Sequence, residues 1–247
     1  MSLCKDCVTG VTHEGEPTGT IEQINGVKTY VALPPAGKYE TSKAVLFLPD
    51  VFGLELVNAR LLADDFAKNG YQTYIPDYLN SDPITSLDGS VDFQAWFANH
   101  GPEQTRPSLD KVIAGLKERG IKEFGATGYC FGARYVFDLA FDNGIKVGVV
   151  SHPSLLKVPE DLEKFKATGV PLLINSCEVD QMYPPESQKI GDDILGGGKT
   201  ETEKYKREYF AGCVHGFAVR GDLSKPEVKA GKEGSFLNAI QWFHKFL

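Results

Sequence analysis

A cysteine flanked by two glycines stands where a chain could present a nucleophile. The segment Gly128-Tyr129-Cys130-Phe131-Gly132 lies between an apolar run typical of a strand and one typical of a helix. Glycines two residues before and after the central residue permit a sharp strand-to-helix turn that lifts its side chain out of a sheet. A helix N-terminus behind Cys130 would favour a thiolate. The alternative is that Cys130 is a small buried side chain in a glycine-rich turn.

An acid and a base follow in the order that such a turn uses. Asp180 comes 50 residues after Cys130, and His215 comes 35 residues after Asp180, each behind a predicted strand. An imidazole can take the proton of a thiol, while a carboxylate orients the imidazole and stabilises its protonated form. Singly, such a His is more often a structural hydrogen-bonding residue and such an Asp a helix cap. Together they predict a Cys130–His215–Asp180 triad that attacks carbonyl carbon.

This attack would need donors for the oxyanion of the tetrahedral intermediate. The backbone N–H of Phe131, the residue after the nucleophile, is one expected donor. The second is expected from the loop at residues 49–53, with the Val51 N–H as the best candidate. Loss of one such donor typically costs roughly 10²–10³ in rate.

The elements that must position these residues alternate between strands and helices. Residues 20–24 and 27–33 alternate polar and apolar side chains around Asn25-Gly26, which predicts a hairpin. The predicted strands that follow are 44–48, 71–76, 121–129, 145–151, 170–176 and 204–210, and the predicted helices are 54–69, 108–119, 133–141, 187–195 and 228–247. This order predicts an α/β fold with a mostly parallel twisted sheet, an N-terminal antiparallel hairpin and helices on both faces. Ligands of such sheets bind beyond the carboxyl ends of the strands. Residues 81–105 show weak periodicity and are interpreted as an excursion that borders the pocket.

Composition limits the classes of protein that fit. The chain has 247 residues, a net charge of −7, 42% hydrophobic and 24% charged residues, and five cysteines. We therefore expect one folded domain over residues 1–247, no nucleic-acid partner and no membrane span. The first 20 residues contain no apolar signal segment, which predicts a cytoplasmic protein. The odd cysteine count favours reduced thiols.

Four of the five cysteines are assigned no chemistry. Cys177 and Cys213 fall near or within predicted strands and are expected to be buried and inert. Cys4 and Cys7 form a C-x-x-C pair in an N-terminal arm, where only His13 could join them as a ligand. A structural metal site needs about four ligands. We therefore predict no metal.

These motifs together resemble the dienelactone hydrolase (carboxymethylenebutenolidase) family of α/β-hydrolases, particularly its fungal members. The resemblance covers nearly the whole chain and rests on segments 48–53, 128–133, 151–154, 178–180 and 215–217. It implies one compact domain without a large cap, a Cys-His-Asp triad that opens lactones or small esters, and no metal or organic cofactor.

Two positions depart from the pattern of the bacterial members. Those enzymes place a Glu beside the resting thiol, whereas Asp50 stands at that place here, either as the thiol partner or as a cap of the following helix. They also bind the substrate carboxylate with two Arg, one of them four residues after the His. Here that residue is Val219, and Arg220 comes one later. Arg106 is the nearest candidate for the second Arg. The substrate therefore need not be dienelactone itself.

The remaining pocket candidates follow predicted strands or carry aromatic rings. His152 either contacts substrate or the triad, or caps the turn before Pro153. The candidate pocket residues are Phe52, Trp96, His152, Tyr183, Phe217 and Arg220.

The sequence thus predicts a hydrolase of a small-molecule ester or lactone, as a monomer or weak homodimer. Two alternatives stay open. One is a ligand-binding module that keeps this fold without turnover, and the other is a thiol redox or stress protein that uses Cys130.

Overall fold

The computed structural model describes residues 9–247, so the expectations for Cys4 and Cys7 lie outside the described residues. Eight strands form one sheet in the order β1-β2-β4-β3-β5-β6-β7-β8. The strands are β1 (Thr20–Ile24), β2 (Val27–Ala32), β3 (Lys43–Leu48), β4 (Thr73–Pro76), β5 (Glu123–Tyr129), β6 (Val147–Ser151), β7 (Leu172–Val179) and β8 (Tyr205–Val214). β1 and β2 form the predicted antiparallel hairpin, and β2 also pairs antiparallel with β4. The other pairs are parallel, so the predicted sheet is confirmed.

Helices cover both faces of this sheet. They are α1 (Val57–Lys68), α2 (Phe93–Asn99), α3 (Pro102–Glu118), α4 (Gly132–Phe141), α5 (Glu160–Thr168), α6 (Pro185–Gly196), α7 (Phe217–Arg220) and α8 (Pro226–Phe246), with a 3₁₀ turn at Gly53–Glu55 before α1. Apolar side chains of α1, α7 and α8 form one core, and those of α3, α4 and α5 form the other. None of the helices within residues 9–247 has the length and apolar character needed to cross a bilayer.

Strand β3 explains the continuous apolar run in the sequence. Val45 and Phe47 belong to the core under α1 and α8, while Leu46 and Leu48 belong to the opposite core, and all four are 0% exposed. A strand covered on both faces needs apolar side chains at every position, because successive side chains point to opposite faces.

The structure differs from the predicted elements at several boundaries. Helix α3 begins at Pro102, six residues before the predicted start, and contains Pro107 within it. That proline obscured the first turns, because a proline inside a helix removes a hydrogen bond. Helices α2 and α5 were not predicted. In α5 only Leu162 and Phe165 are buried, too few apolar positions to establish a helical period.

Candidate active site

The carboxyl ends of the parallel strands bring the candidate residues to one edge of the sheet. Leu48, Gly128, Val150 and Ile174 lie in one row across β3, β5, β6 and β7. β7 and β8 continue beyond this row and end at the paired residues Val179 and Val214, after an irregularity in their register. The sequence predicted shorter strands here. The extension places the residues that follow β7 and β8 beyond the edge formed by the other strands.

Cys130 occupies a strained turn between β5 and α4. Its φ of 51° lies in the left-handed region that side chains other than glycine seldom adopt. A Cβ on Gly132 would lie 2.0 Å from the Leu48 carbonyl oxygen, and a Cβ on Gly128 would lie 2.6 Å from the Gly132 oxygen. The close backbone approach therefore requires both glycines. Strain of this kind is concentrated at functional sites.

His215 and Asp180 are joined directly. Nδ1 of His215 lies 2.8 Å from Oδ1 of Asp180. The same carboxylate oxygen accepts hydrogen bonds from the backbone N–H groups of Met182 and Tyr183, at 2.9 and 3.1 Å. The His215 N–H donates to the Val179 carbonyl, which ties the two loops together. The Asp180 side chain is 1% exposed, and its Oδ1 is held by His215 and by two backbone N–H groups, so it fixes the orientation of the imidazole.

The electrostatic setting of His215 favours its protonated form. Burial acts to lower its pKa, but the hydrogen bond to Asp180 and the nearness of Cys130 together raise that pKa to about 9. Nε2 is buried and forms no hydrogen bond of good geometry with any residue among 9–247. Such contacts are commonly loose without substrate and tighten when it binds. The arrangement can therefore hold an imidazolium beside a thiolate.

The two expected oxyanion donors are free within the described part of the chain. Neither the Val51 N–H nor the Phe131 N–H donates a hydrogen bond to another backbone group there, whereas the Val51 carbonyl accepts from Ile84 at 2.8 Å. An unpaired N–H at a buried position is rare and needs a partner. Their role as an oxyanion hole stays a prediction.

Asp50 is occupied by partners other than the thiol. The side chain is fully buried, its Oδ2 accepts from Nε of Arg220 at 3.0 Å, and its Oδ1 accepts from the Phe52 N–H at 3.0 Å. Burial raises the pKa of Asp50, while Arg220 acts in the opposite direction. The Arg220 guanidinium also lies over the Phe52 ring, 5.3 Å from its centroid. The structure therefore joins three of the candidate residues into one cluster.

The thiol has a neighbour that the sequence did not single out. Sγ of Cys130 lies 3.6 Å from Oγ of Ser154, which follows β6. Ser154 was noted only as part of the segment 151–154, and no pattern in that segment predicts the contact.

His152 lies against the base. It is 0% exposed, its ring centroid is 5.0 Å from that of His215 and 5.5 Å from that of Phe217, which is also buried. Neither ring nitrogen has a hydrogen-bond partner in residues 9–247. Burial holds its pKa well below the ordinary value, and the charges of His215 and Arg220 add to this effect. His152 is therefore a neutral ring that packs beside His215.

Loss of this titrating group should change the acid sensitivity of the fold. The unfolded chain protonates His152 below pH ~6.5, while the folded chain keeps it neutral, so this contribution is full above pH ~6.5 and is lost as the pH falls. Asn tolerates the φ of 39° at this position. In His152→Asn, the free energy of unfolding should therefore fall less steeply with decreasing pH than in the wild type. The difference should reach up to ~1.4 kcal/mol per pH unit between pH 6.5 and 5. Urea unfolding of both proteins at several pH values measures it, and parallel pH curves would contradict the burial of a neutral ring.

Trp96 and Tyr183 are the remaining aromatic candidates. Trp96 stacks on His100, with centroids 3.9 Å apart, and meets Phe131 edge-on at 5.6 Å. Tyr183 is 1% exposed, and its backbone N–H, rather than its ring, contacts Asp180. Arg106 pairs with Asp110 and Asp142.

Two further cysteines are buried, as expected. Cys177 and Cys213 are 0% exposed, and burial raises the pKa of both thiols. The Cys177 thiol donates weakly to Oδ2 of Asp180 at 3.7 Å. Within residues 9–247, no three or more His, Cys, Asp or Glu side chains group as metal ligands do.

Comparison with solved structures identifies the fold. The fold matches a dienelactone hydrolase-like promiscuous phosphotriesterase from metagenomic libraries with a TM-score of 0.68 and 18% identity, over 94% of this chain and 100% of that one. At this identity the match concerns the fold, which is that of the α/β-hydrolases.

Comparison of sequences narrows the class to a family. The family model described as "Dienelactone hydrolase family" matches residues 27–247. The chain is 37% identical to Hydrolase pyvD of Aspergillus violaceofuscus, over 98% of this chain and 96% of that protein. It is 34% identical to Dienlactone hydrolase 1 of Gibberella moniliformis, over 99% and 94%. The chain belongs to the dienelactone hydrolase family and is a carboxylic ester or lactone hydrolase.

Proposed function

We propose that the enzyme hydrolyses small carboxylic esters or lactones through a thioacyl intermediate on Cys130. The Sγ thiolate attacks the carbonyl carbon, and the carbonyl π electrons move to oxygen, where the N–H groups of Phe131 and Val51 bind the charge. The intermediate collapses, the C–O bond breaks, and Nε2–H of His215 protonates the leaving alkoxide. His215 then takes a proton from water as the hydroxide adds to the thioester. The C–S bond breaks, which releases the acid and restores the thiolate.

One observation carries this proposal. His215 is held by Asp180 at 2.8 Å through Nδ1, and the nearness of Cys130 contributes to raising its pKa. A base oriented on one side and next to a thiol on the other is what nucleophilic catalysis by cysteine requires. The free N–H groups of Val51 and Phe131 support the same interpretation.

We further propose that Arg220 binds a carboxylate on the substrate. Its Nε is used by Asp50 and its plane is supported by the Phe52 ring. The two terminal nitrogens make no hydrogen bond or ion pair within the described residues, and the side chain is 23% exposed. A guanidinium held in this way is pre-organised for an anionic group.

A matched pair of substrates tests this function. The wild-type enzyme should hydrolyse both a lactone that carries a carboxylate and its neutral methyl ester. In Arg220→Gln, KM for the anionic lactone should rise about 10–100-fold, because a hydrogen bond to a charged group is lost, while the neutral lactone changes little. Initial rates over a panel of lactones and short esters measure this.

Three results decide between the readings. Equal changes for both substrates would contradict a role of Arg220 in binding an anion. Saturable binding with no hydrolysis across the panel would contradict turnover and favour the binding module. Rapid peroxide oxidation of Cys130 with disulfide formation, again without hydrolysis, would favour the redox protein.

The proposal extends to the setting of the enzyme. We place it in the cytoplasm as one domain, a monomer or weak homodimer, with a small molecule as its only partner and with no cofactor. The net charge of −7 disfavours a polyanionic partner such as nucleic acid.

A further inference from the structure

We propose that Ser154 is a catalytic residue whose hydroxyl donates a hydrogen bond to the Cys130 thiolate, a role for which the family resemblance offered Asp50 as one of two possibilities. This inference rests on the proposed function, because it concerns the same nucleophile. It names a residue that acts on the sulfur itself, both when the thiolate waits for substrate and when it leaves the thioester.

The hydroxyl of Ser154 contacts the thiol of Cys130 directly. Oγ of Ser154 lies 3.6 Å from Sγ of Cys130, within hydrogen-bond range for sulfur, and the side chain of Ser154 has no other hydrogen-bond partner among residues 9–247. The Ser154 N–H donates to the carbonyl of Cys130 at 3.1 Å, which fixes the two residues to each other. Ser154 is 3% exposed, so water does not readily replace its hydroxyl.

The turn that carries Ser154 is strained. His152 and Leu155 have φ values of 39° and 62°, and Pro153 lies between His152 and Ser154. A left-handed backbone conformation at a residue other than glycine persists only where the surrounding structure enforces it. The His152 N–H donates to the Asn175 carbonyl at 2.8 Å and anchors the turn to β7. The strain therefore serves to place the hydroxyl against the thiol.

Asp50 cannot take this role in the observed arrangement. Its two carboxylate oxygens accept from Arg220 and from the Phe52 N–H. A carboxylate beside Sγ would also repel a thiolate, whereas a neutral hydroxyl stabilises it by donating a hydrogen bond. Ser154 therefore supports the charged nucleophile, and Asp50 supports the arginine.

The Ser154 hydroxyl keeps its proton throughout the reaction. Ser154 donates to Sγ while the sulfur carries the charge, and this bond weakens as the charge moves to the carbonyl oxygen. When the C–S bond breaks in deacylation, its electron pair returns to Sγ and the bond to Ser154 forms again. The protons of catalysis pass through His215. We expect the largest effect in deacylation, where the thiolate is the leaving group.

Other charged and titratable groups around the thiol are accounted for. His215 faces the thiol from the loop after β8, and both Asp180 and Cys130 act to raise the pKa of His215. Tyr78 is near Cys130 and fully buried, and its hydroxyl donates to the Pro49 carbonyl. Arg220 and Asp50 pair with each other, and Asp50 lies near His215. Besides His215, whose pKa responds to Cys130, the described residues place the Ser154 hydroxyl within hydrogen-bond distance of Sγ.

The test is the pH dependence of the alkylation of Cys130 by iodoacetamide, which needs no substrate turnover. In Ser154→Ala and Ser154→Gly, the rate near pH 6 should fall about tenfold and the midpoint should move up by about one pH unit, because the thiolate loses a charge-assisted bond. Ser154→Thr keeps a hydroxyl and should restore the wild-type midpoint. Ser151→Ala removes a buried hydroxyl from the same segment, one that accepts from Asn175, and should leave the midpoint unchanged.

Hydrolysis of p-nitrophenyl acetate supplies the second readout. Ser154→Ala should keep its burst of p-nitrophenol and show a slower steady rate, since deacylation is affected more than acylation. Alkylation profiles of Ser154→Ala and Ser154→Gly that superimpose on the wild type would overturn the role of Ser154. This result is distinct from failure of the proposed function, which would show as full hydrolysis in a variant without the Cys130 thiol. Circular dichroism confirms that each variant is folded.

Discussion

Replacement of Cys130 by alanine should lower kcat/KM for ester hydrolysis by about 10⁴-fold or more. The side chain stands at a φ of 51° between two glycines that backbone contacts require, and in the proposed mechanism its Sγ is the nucleophile. Without Sγ there is no covalent intermediate, and the remaining rate comes from the oxyanion donors and substrate binding, which act on a water molecule. The variant should fold, because alanine is smaller and the turn is retained.

A second buried thiol provides the control for this variant. Cys213 is 0% exposed, and its Sγ is 3.6 Å from the Glu227 carbonyl, so it belongs to the core. Cys213→Ala should keep kcat/KM within a few-fold of the wild type, while its melting temperature falls slightly. Steady-state rates on p-nitrophenyl acetate and on a lactone compare the two variants. Full activity in Cys130→Ala would overturn the mechanism.

Replacement of His215 by glutamine should cost roughly 10⁴-fold in kcat/KM. Asp180 holds Nδ1 at 2.8 Å, and in the proposed mechanism the imidazolium that this pair stabilises is the acid that protonates the leaving alkoxide. Without it, the thiol at neutral pH reverts to a weak nucleophile, and water is no longer activated for deacylation. Alkylation of Cys130 should then follow the pH dependence of an ordinary thiol, with a midpoint near ~8.5.

The control for this variant is the histidine near the C-terminus. His244 is exposed on α8, and His244→Gln should keep both the hydrolysis rate and the alkylation profile. Stopped-flow alkylation between pH 5 and 10 compares the three proteins. A wild-type profile in His215→Gln would show that the imidazole does not act on the thiol. Such a result would contradict the proposed role of His215 as the base.

The order of the sequence motifs predicted the position of the candidate triad residues in the fold. Cys130 follows β5, Asp180 follows β7 and His215 follows β8, each directly after the last residue of its strand. This worked because glycine spacing, apolar runs and chain order are local properties. The ends of β7 and β8 were predicted too early, at 176 and 210, since the last residues of both strands are largely exposed and break the apolar pattern.

Contacts between distant segments could not be predicted in the same way. The pairing of Asp50 with Arg220 spans 170 positions, and either residue alone fits several roles. The contact of Ser154 with Cys130 depends on left-handed backbone at His152 and Leu155, to which sequence propensity gives little weight. These positions depart from local preference, and departures of this kind are expected at functional sites.

Detection of a covalent intermediate on Cys130 decides whether this thiol is the nucleophile. The wild-type enzyme is mixed with p-nitrophenyl acetate, quenched in acid within milliseconds to seconds, and measured as an intact mass followed by peptide mapping. We expect one acetyl group per chain, on the peptide that contains Cys130. The acetyl group should be absent from Cys130→Ala and should accumulate further in Ser154→Ala. An acetyl group on another residue, or hydrolysis with no adduct on Cys130 at any quench time, would contradict the proposed mechanism.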